Sequence, residues 1–458
     1  FDAAIKYCES GRFKKAKPLL EKLVKNNPTV SEYHRVLGQI YSDEGNQEEA
    51  VNCLIDALRW DPKNTHALTM MGNIFAKHRN DIPTAMTYYE QALKVMPDDH
   101  ITMNNIGANL MQLGKVSEAE RYFEKAYSIN SNYPNTIYAM GMIKDIKGEY
   151  PAAFNFAIQS LKKSKINNPL YGNAFQLATE ISNKIIKPTN QPTNQASNYP
   201  ASLADYSQKL GVESEKIIDI IPDNSIPTPA KLELAENYNR EKHIVRFKKE
   251  SPAIAHLIMH ELVHLDFAVQ CRKKNANYLF VSTKEQKERF IRDNESIIQR
   301  LNRDGFDDNS ISGFINSLFN GMNSQIYNNP VDLFIEDFLY KTYPALRPFQ
   351  FISLYALLQN YIQSATSKKI IEYTPAAIRN ANIILSLVHS FQFKDLYGYE
   401  TSSFLKATSQ QIKMAKGFYD EYRKYQKNDM ALEAHNLIQK WAKELKVENY
   451  FTIIEENE

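Results

Sequence analysis

Apolar residues in the first 187 positions recur at three- and four-residue intervals, in helix-length segments separated by short turns. The whole pattern repeats with a period of about 34 residues. Residues 31–64 carry it most fully, with Leu37-Gly38, Tyr41, Gly45, Ala50, Leu54, Ala57 and Pro62. Gly38 and Ala50 are small where two helices of one unit cross, and Ala57 is small where the next unit packs. Pro62 lacks the amide needed to continue a helix and ends the second one. Residues 65–99 repeat the register with Gly72, Phe75, Ala85, Tyr89, Ala92 and Pro97, and one extra residue is expected in the Arg79-Asn80-Asp81 turn. Residues 100–133 follow with Gly107, Leu110, Gly114, Ala119, Phe123 and Ala126, and residues 134–167 with Gly141, Gly148 and Ala153. Gly11, Ala16, Leu20 and Pro28 mark an opening repeat cut off within its first helix, and 168–187 read as a single closing helix.

These positions are similar to the tetratricopeptide-repeat family over residues 1–187. The resemblance implies an α-solenoid whose concave groove receives a peptide or protein partner. Groove-facing candidates are Arg35, Gln39, Asn73, Asn104, Asn105 and Asn135. They do not reproduce the Lys/Arg set with which one version of the family grips a C-terminal carboxylate. The competing reading makes them solvated helix surface.

The period stops at residues 188–203, where prolines and a duplicated Pro-Thr-Asn-Gln predict an exposed linker. A second domain is expected over 204–458. Lys231–Ala235 alternates, Asn237-Tyr238-Asn239-Arg240 offers turn residues, and His243–Phe247 is β-branched and aromatic, which predicts a β-hairpin. Ser251-Pro252 predicts an N-cap and first turn for a helix over about 252–271. Helical periodicity returns over 351–361, 376–388 and 432–445. The expected class is mainly α: a repeat solenoid followed by an α+β domain with a small hairpin or sheet.

Composition narrows the functions. A chain of 458 residues predicts two or three domains. The 55 Lys+Arg and 53 Asp+Glu leave a net charge of +2, without the basic excess of a phosphate-binding nucleic-acid protein. No apolar run is long enough for a transmembrane helix. Three scattered cysteines, Cys8, Cys53 and Cys271, predict a fold without disulfides, which fits a reducing, cytoplasmic setting. The chain opens at Phe1 inside a repeat, so the natural N-terminus is expected upstream and the absence of a leader carries no weight.

Within the predicted helix stands His260-Glu261-Leu262-Val263-His264. Residues four apart share a helix face, so the two imidazoles project together and can hold one zinc ion. Glu261, beside the first ligand, is placed to take a proton from the attacking water. His256 lies one turn earlier on the same face. The outer histidines are two turns apart, about 11 Å, so one ion cannot join all three. His256 is therefore expected at the rim or behind the ligands.

Strand, helix and His-Glu-x-x-His in this order resemble the zincin metallopeptidases. One branch takes a third ligand six residues past the second histidine, where Gln270 stands here, with Phe267 in place of the expected glycine. The resemblance therefore points to the gluzincin branch, which implies a glutamate from a later helix. Glu336, among Leu333, Leu339 and Tyr340 on a helix expected to start at Asn329-Pro330, is the favoured third ligand. Asp332, one turn earlier, is expected to orient a histidine, although the two roles can be exchanged. Glu295 is the rival ligand. Tyr340, Tyr343, Arg347 and His389 are the candidate oxyanion donors, and the strand Ile244–Phe247 is a candidate to pair with a peptide substrate. The implied activity is zinc-dependent peptide hydrolysis with a substrate or partner held by the repeat arm. The alternative is an interaction scaffold with a structural or inactive zinc domain.

Overall fold

The computed structural model describes residues 1–186, 201–426 and 430–455. It is mainly helical, with paired-helix repeats followed by a region that contains two small sheets. The chain divides into two compact units, Phe1–Ala174 and Phe175–Glu458. Of the linker expected at 188–203, residues 188–200 lie outside the described residues, and 201–203 open a helix. No described helix is long and apolar enough to cross a membrane.

The repeat unit contains α1 (Asp2–Glu9), α2 (Phe13–Asn26), α3 (Ser31–Asp43), α4 (Gln47–Trp60), α5 (Thr65–Lys77), α6 (Ile82–Val95), α7 (His100–Gln112), α8 (Val116–Ile129), α9 (Pro134–Ile146) and α10 (Tyr150–Lys163). The turn inside each pair requires a left-handed residue. Gly11, Gly45, Gly114 and Gly148 supply it, and Asn80 does so in the turn that carries the extra residue. At Gly107 an added Cβ would lie 2.7 Å from the Phe123 ring, so close helix crossing excludes a side chain there. The helix α11 (Pro169–Ile186) follows, near the bounds expected for the closing helix.

The second unit begins within α11 at Phe175 and continues with α12 (Ala201–Glu213) and a three-stranded sheet of β1 (Ile217–Pro222), β2 (Ala230–Glu233) and β3 (Lys242–Phe247). β2 pairs antiparallel with β3 as the alternation predicts, with Leu232 opposite Val245. β1 was not expected and pairs parallel on the other side of β3. The order β1-β3-β2 therefore makes β3 the central strand. Helix α13 (Ile254–Lys273) starts after Ala253, with no side-chain cap. Ser251 and Pro252 precede it in a turn, two residues short of the cap and first-turn positions expected for them.

Beyond α13 come β4 (Tyr278–Val281), α14 (Lys284–Asp293), α15 (Glu295–Arg303), α16 (Asp308–Thr342), α17 (Arg347–Thr366), α18 (Lys368–Tyr373), α19 (Ala376–Tyr397), α20 (Ser409–Tyr425), α21 (Met430–Leu445) and β5 (Thr452–Glu455). α16 runs 35 residues and passes through Pro330, so Asn329-Pro330 is no helix start. Proline inside a helix costs roughly 3 kcal/mol through its missing amide. Burial of Val331, Leu333, Phe334, Ile335 and Leu339, each at most 4% exposed, offsets it. β4 and β5 form a second, two-stranded antiparallel sheet.

Candidate metal centre

Ala255, Ile258, Met259, Leu262 and Val263 bury one side of α13 in the core of the second unit. The opposite side turns His256, His260 and His264 in a stripe toward α16. Ring centroids stand 6.0 Å apart for His256–His260 and 4.8 Å for His260–His264. From α16, Asp332 and Glu336 meet this stripe in reverse order. Glu336 reaches His256 and His260, whereas Asp332 reaches His260 and His264.

The two carboxylates meet different edges of the His260 ring. Glu336 Oε1 lies 2.8 Å from Nδ1, and its Oε2 lies 2.9 Å from His256 Nε2. Gln350 Nε2 donates to the same carboxylate at 2.5 Å and to the Glu336 carbonyl at 2.8 Å. Glu336 is 2% exposed, and the burial that would disfavour its charge is outweighed by His256 and His260, which hold its carboxyl below the usual range. An ionised carboxylate only accepts, so Nδ1 of His260 carries a hydrogen and the lone pair of Nε2 faces away from Glu336.

That lone pair meets the rest of the cluster. Nε2 of His260 and Nε2 of His264 are 3.1 Å apart, and Asp332 Oδ1 stands 3.4 Å and 3.3 Å from them. Asp332 Oδ1 is buried and has no hydrogen-bond partner among the described residues. Four tetrahedral ligands at zinc distances of about 2.0–2.1 Å are roughly 3.3 Å from one another. The three atoms therefore have the spacing and chemistry of a metal-ligand face. Burial penalises the charged form of His260, yet Asp332 and then Glu336 hold it well above the usual imidazole range. Asp332 is drawn down by His260 and His264 against the same penalty. Two buried carboxylates thus call for a compensating cation, a proton on His260 or a metal ion.

The favoured sequence ligand, Glu336, meets His256 and His260 in one group whose atoms could hold an ion, and Asp332 meets the Nε2 atoms of His260 and His264 in a second. A buried carboxylate needs a partner, and imidazole and amide donors meet that need for Glu336. Glu295 is exposed at the start of α15, where it accepts from Gln299 at 3.2 Å, away from the cluster. Gln350 and Tyr397, which donates to Gln350 Oε1 at 2.7 Å, form a supporting layer that the sequence did not reveal.

Glu261 shares the cavity wall with His260 and His264. Its Oε2 accepts from the backbone N–H of Leu232 at 2.9 Å. β2 is thus the strand whose free edge borders the site. The expectation that Ile244–Phe247 pairs with a substrate fails, because β3 is already paired on both sides. The cavity has a volume of about 940 Å³. Of the four candidate oxyanion donors, His389 alone lines it. Burial pushes His389 below the usual imidazole range, and its Nε2 has no partner among the described residues. Arg347 is turned to the Tyr340 carbonyl at 2.9 Å.

In the repeat unit, most of the proposed groove residues are engaged internally. Arg35 pairs with Glu32, Gln39 donates to Asp43, and Asn73 accepts from Tyr89. Asn104 is buried and accepts from Thr136, Asn135 donates to Tyr133, and Asn105 is half-buried.

Residues 7–74 match the tetratricopeptide-repeat family, and residues 65–181 match the family described as TT21 fifth ARM repeats domain. The chain is 29% identical over 133 residues to the BBSome complex member bbs-4 of Caenorhabditis elegans, covering 29% of each protein. It is 23% identical over 144 residues to the anaphase-promoting complex subunit 3 of Schizosaccharomyces pombe, covering 31% of this chain and 22% of that one. The chain therefore spans under a third of the length of either relative. Among solved structures, the type IV pilus biogenesis factor PilW matches 42% of this chain and 93% of its own, with 18% identity and a TM-score of 0.34. No peptidase family matches the chain. Residues from about 7 to 186 are a tetratricopeptide-repeat region, a class of module that binds protein partners.

Proposed function

We propose that the second unit is a zinc-dependent peptidase whose substrate or partner is recruited by the repeat unit. The observation that carries this reading is the face made by His260 Nε2, His264 Nε2 and Asp332 Oδ1, 3.1–3.4 Å apart, with Glu261 on the same wall. Asp332 is the third ligand in this reading, and Glu336 orients His260, the exchange of roles that the shared helix face allows.

Bound zinc supplies Lewis acidity, which polarises a substrate carbonyl and makes water a usable nucleophile near neutral pH. The chain's own groups do the rest. Leu232 N–H fixes Glu261 Oε2, leaving Oε1 to take the proton of the attacking water. As the C–O bond forms and the C–N bond breaks, Glu261 returns that proton to the leaving nitrogen. Glu336 keeps the hydrogen on His260 Nδ1, which preserves the Nε2 lone pair. His389 brings a neutral ring into the cavity, where an N–H can meet the developing oxyanion.

A repeat scaffold with a structural or inactive metal domain is the second reading, favoured by matches that fall in the repeat region. Glu261 separates the two, because a structural site needs only its ligands. Zinc content and cleavage of a diverse peptide library are measured for the natural chain and Glu261→Gln. The peptidase reading expects one zinc in each and a rate lower by at least about 100-fold in the variant. Bound zinc with no cleavage by either protein leaves the scaffold reading.

A further inference from the structure

The lining of the cavity carries little charge beyond the cluster itself. Its acids are Glu261, Asp332 and Glu336, and its one lysine or arginine among the described residues is Lys231. Asp332 and Glu336 face histidines, and one Glu261 oxygen is held by Leu232 N–H. Lys231 Nζ lies 3.6 Å from Glu233 and 3.3 Å from the Tyr238 hydroxyl. Apart from Glu261 Oε1, which the proposed reaction uses as its base, no described lining carboxylate is left to grip a free α-ammonium group, and Lys231 is already shared between Glu233 and Tyr238.

Apart from His389 and His435, what remains is amide, hydroxyl, thiol and apolar. Asn320, Asn323, Asn328 and Asn360 line the cavity with Phe267 and Leu357. Asn323 is 6% exposed, donates to the Tyr450 carbonyl at 3.2 Å, and keeps a buried Oδ1 without a partner among the described residues. An unpartnered amide oxygen suits a peptide N–H, and burying it unpaired costs on the order of 1–3 kcal/mol. A cavity of about 940 Å³ also stands near the top of the roughly 300–1,000 Å³ range of ligand pockets.

We propose that this cavity accepts an internal segment of polypeptide with uncharged side chains beside the scissile bond, so that hydrolysis is endoproteolytic and neither terminus is recognised. The proposal rests on the peptidase reading above. A charged side chain entering this lining loses water without gaining a counter-charge, whereas backbone amides find amide partners.

The test uses the full chain loaded with zinc, and Glu261→Gln as the control. Internally quenched peptides blocked by N-acetyl and C-amide groups are compared in three forms: uncharged flanks, and Asp or Lys beside the scissile bond. Aminoacyl p-nitroanilides with a free amine and N-blocked peptides with a free carboxylate complete the set. The expected result is cleavage of the blocked neutral peptides, with kcat/KM at least roughly 10-fold above the charged forms and the free-terminus substrates. Cleavage of free-terminus substrates while blocked peptides resist overturns the proposal and leaves the peptidase reading standing. Equal cleavage of charged and neutral flanks overturns the side-chain preference. Resistance of every substrate overturns both the proposal and the peptidase reading.

Discussion

His260 stands between two carboxylates, and its two nitrogens have unlike tasks. Glu336 fixes the hydrogen on Nδ1, and Asp332 faces the lone pair of Nε2 together with His264. Removing either acid therefore has a different consequence. Asp332→Ala deletes a ligand of the proposed zinc site and is expected to reduce bound zinc from one per chain to almost none. Glu336→Ala leaves all three ligand atoms but frees the tautomer, and is expected to weaken zinc by about 10–100-fold while retaining a stoichiometric site at saturating metal. Competition against a chelator at pH 7.5 reads both. Tight zinc in Asp332→Ala, with loss confined to Glu336→Ala, would restore the sequence-based assignment of Glu336 as ligand. The five-residue motif was legible because it is local to one helix. The division of labour between Asp332 and Glu336 was not, because spacing puts both on one face of α16 and only its crossing against α13 decides which acid meets which nitrogen.

Among the elements, the hairpin beside the site holds a buried histidine outside the cluster. His243 on β3 is fully buried, and its Nδ1 accepts from the Ala235 N–H at 3.0 Å. The proton is then on Nε2, which has no partner among the described residues. Burial pushes its pKa below the ordinary range, Glu236 at 3.8 Å draws it up, and Lys216 and Arg272 push it down. The unfolded chain, with a pKa of about 6.5, therefore binds the proton first. The contribution of His243 to stability is complete above that pH and falls as the pH drops below it. His243→Asn, which keeps an acceptor for Ala235, is expected to be less stable than the natural chain at pH 7.5. Urea unfolding should find the difference shrinking steadily as pH falls from 7 to 5.5, and a constant difference would contradict the assignment. The alternation of Lys231–Ala235, the turn residues after it and the β-branched and aromatic run His243–Phe247 made this hairpin readable. β1 escaped because its parallel pairing is set by β3 rather than by its own pattern, and β4 escaped because its partner β5 lies far along the chain.

Across the whole molecule, legibility follows the range of the contacts. Each repeat packs on its sequence neighbours, so glycines, alanines and prolines at a fixed period specified the first unit residue by residue. In the second unit one core joins α12, the three-stranded sheet, α13, α16, α19, α20 and α21. Its local pattern foretold helices but neither the continuous path of α16 through Pro330 nor the cavity walls that α13 and α16 share with β4. The repeat unit is a protein-binding module by resemblance, whereas the proposed chemistry of the second unit rests on three atoms. Diffraction from zinc-soaked crystals, recorded on both sides of the zinc absorption edge, tests those atoms most directly. The account predicts one anomalous peak about 2 Å from His260 Nε2, His264 Nε2 and an Asp332 carboxylate oxygen. A peak among His256, His260 Nδ1 and Glu336, or no peak in this cavity at saturating zinc, would contradict it.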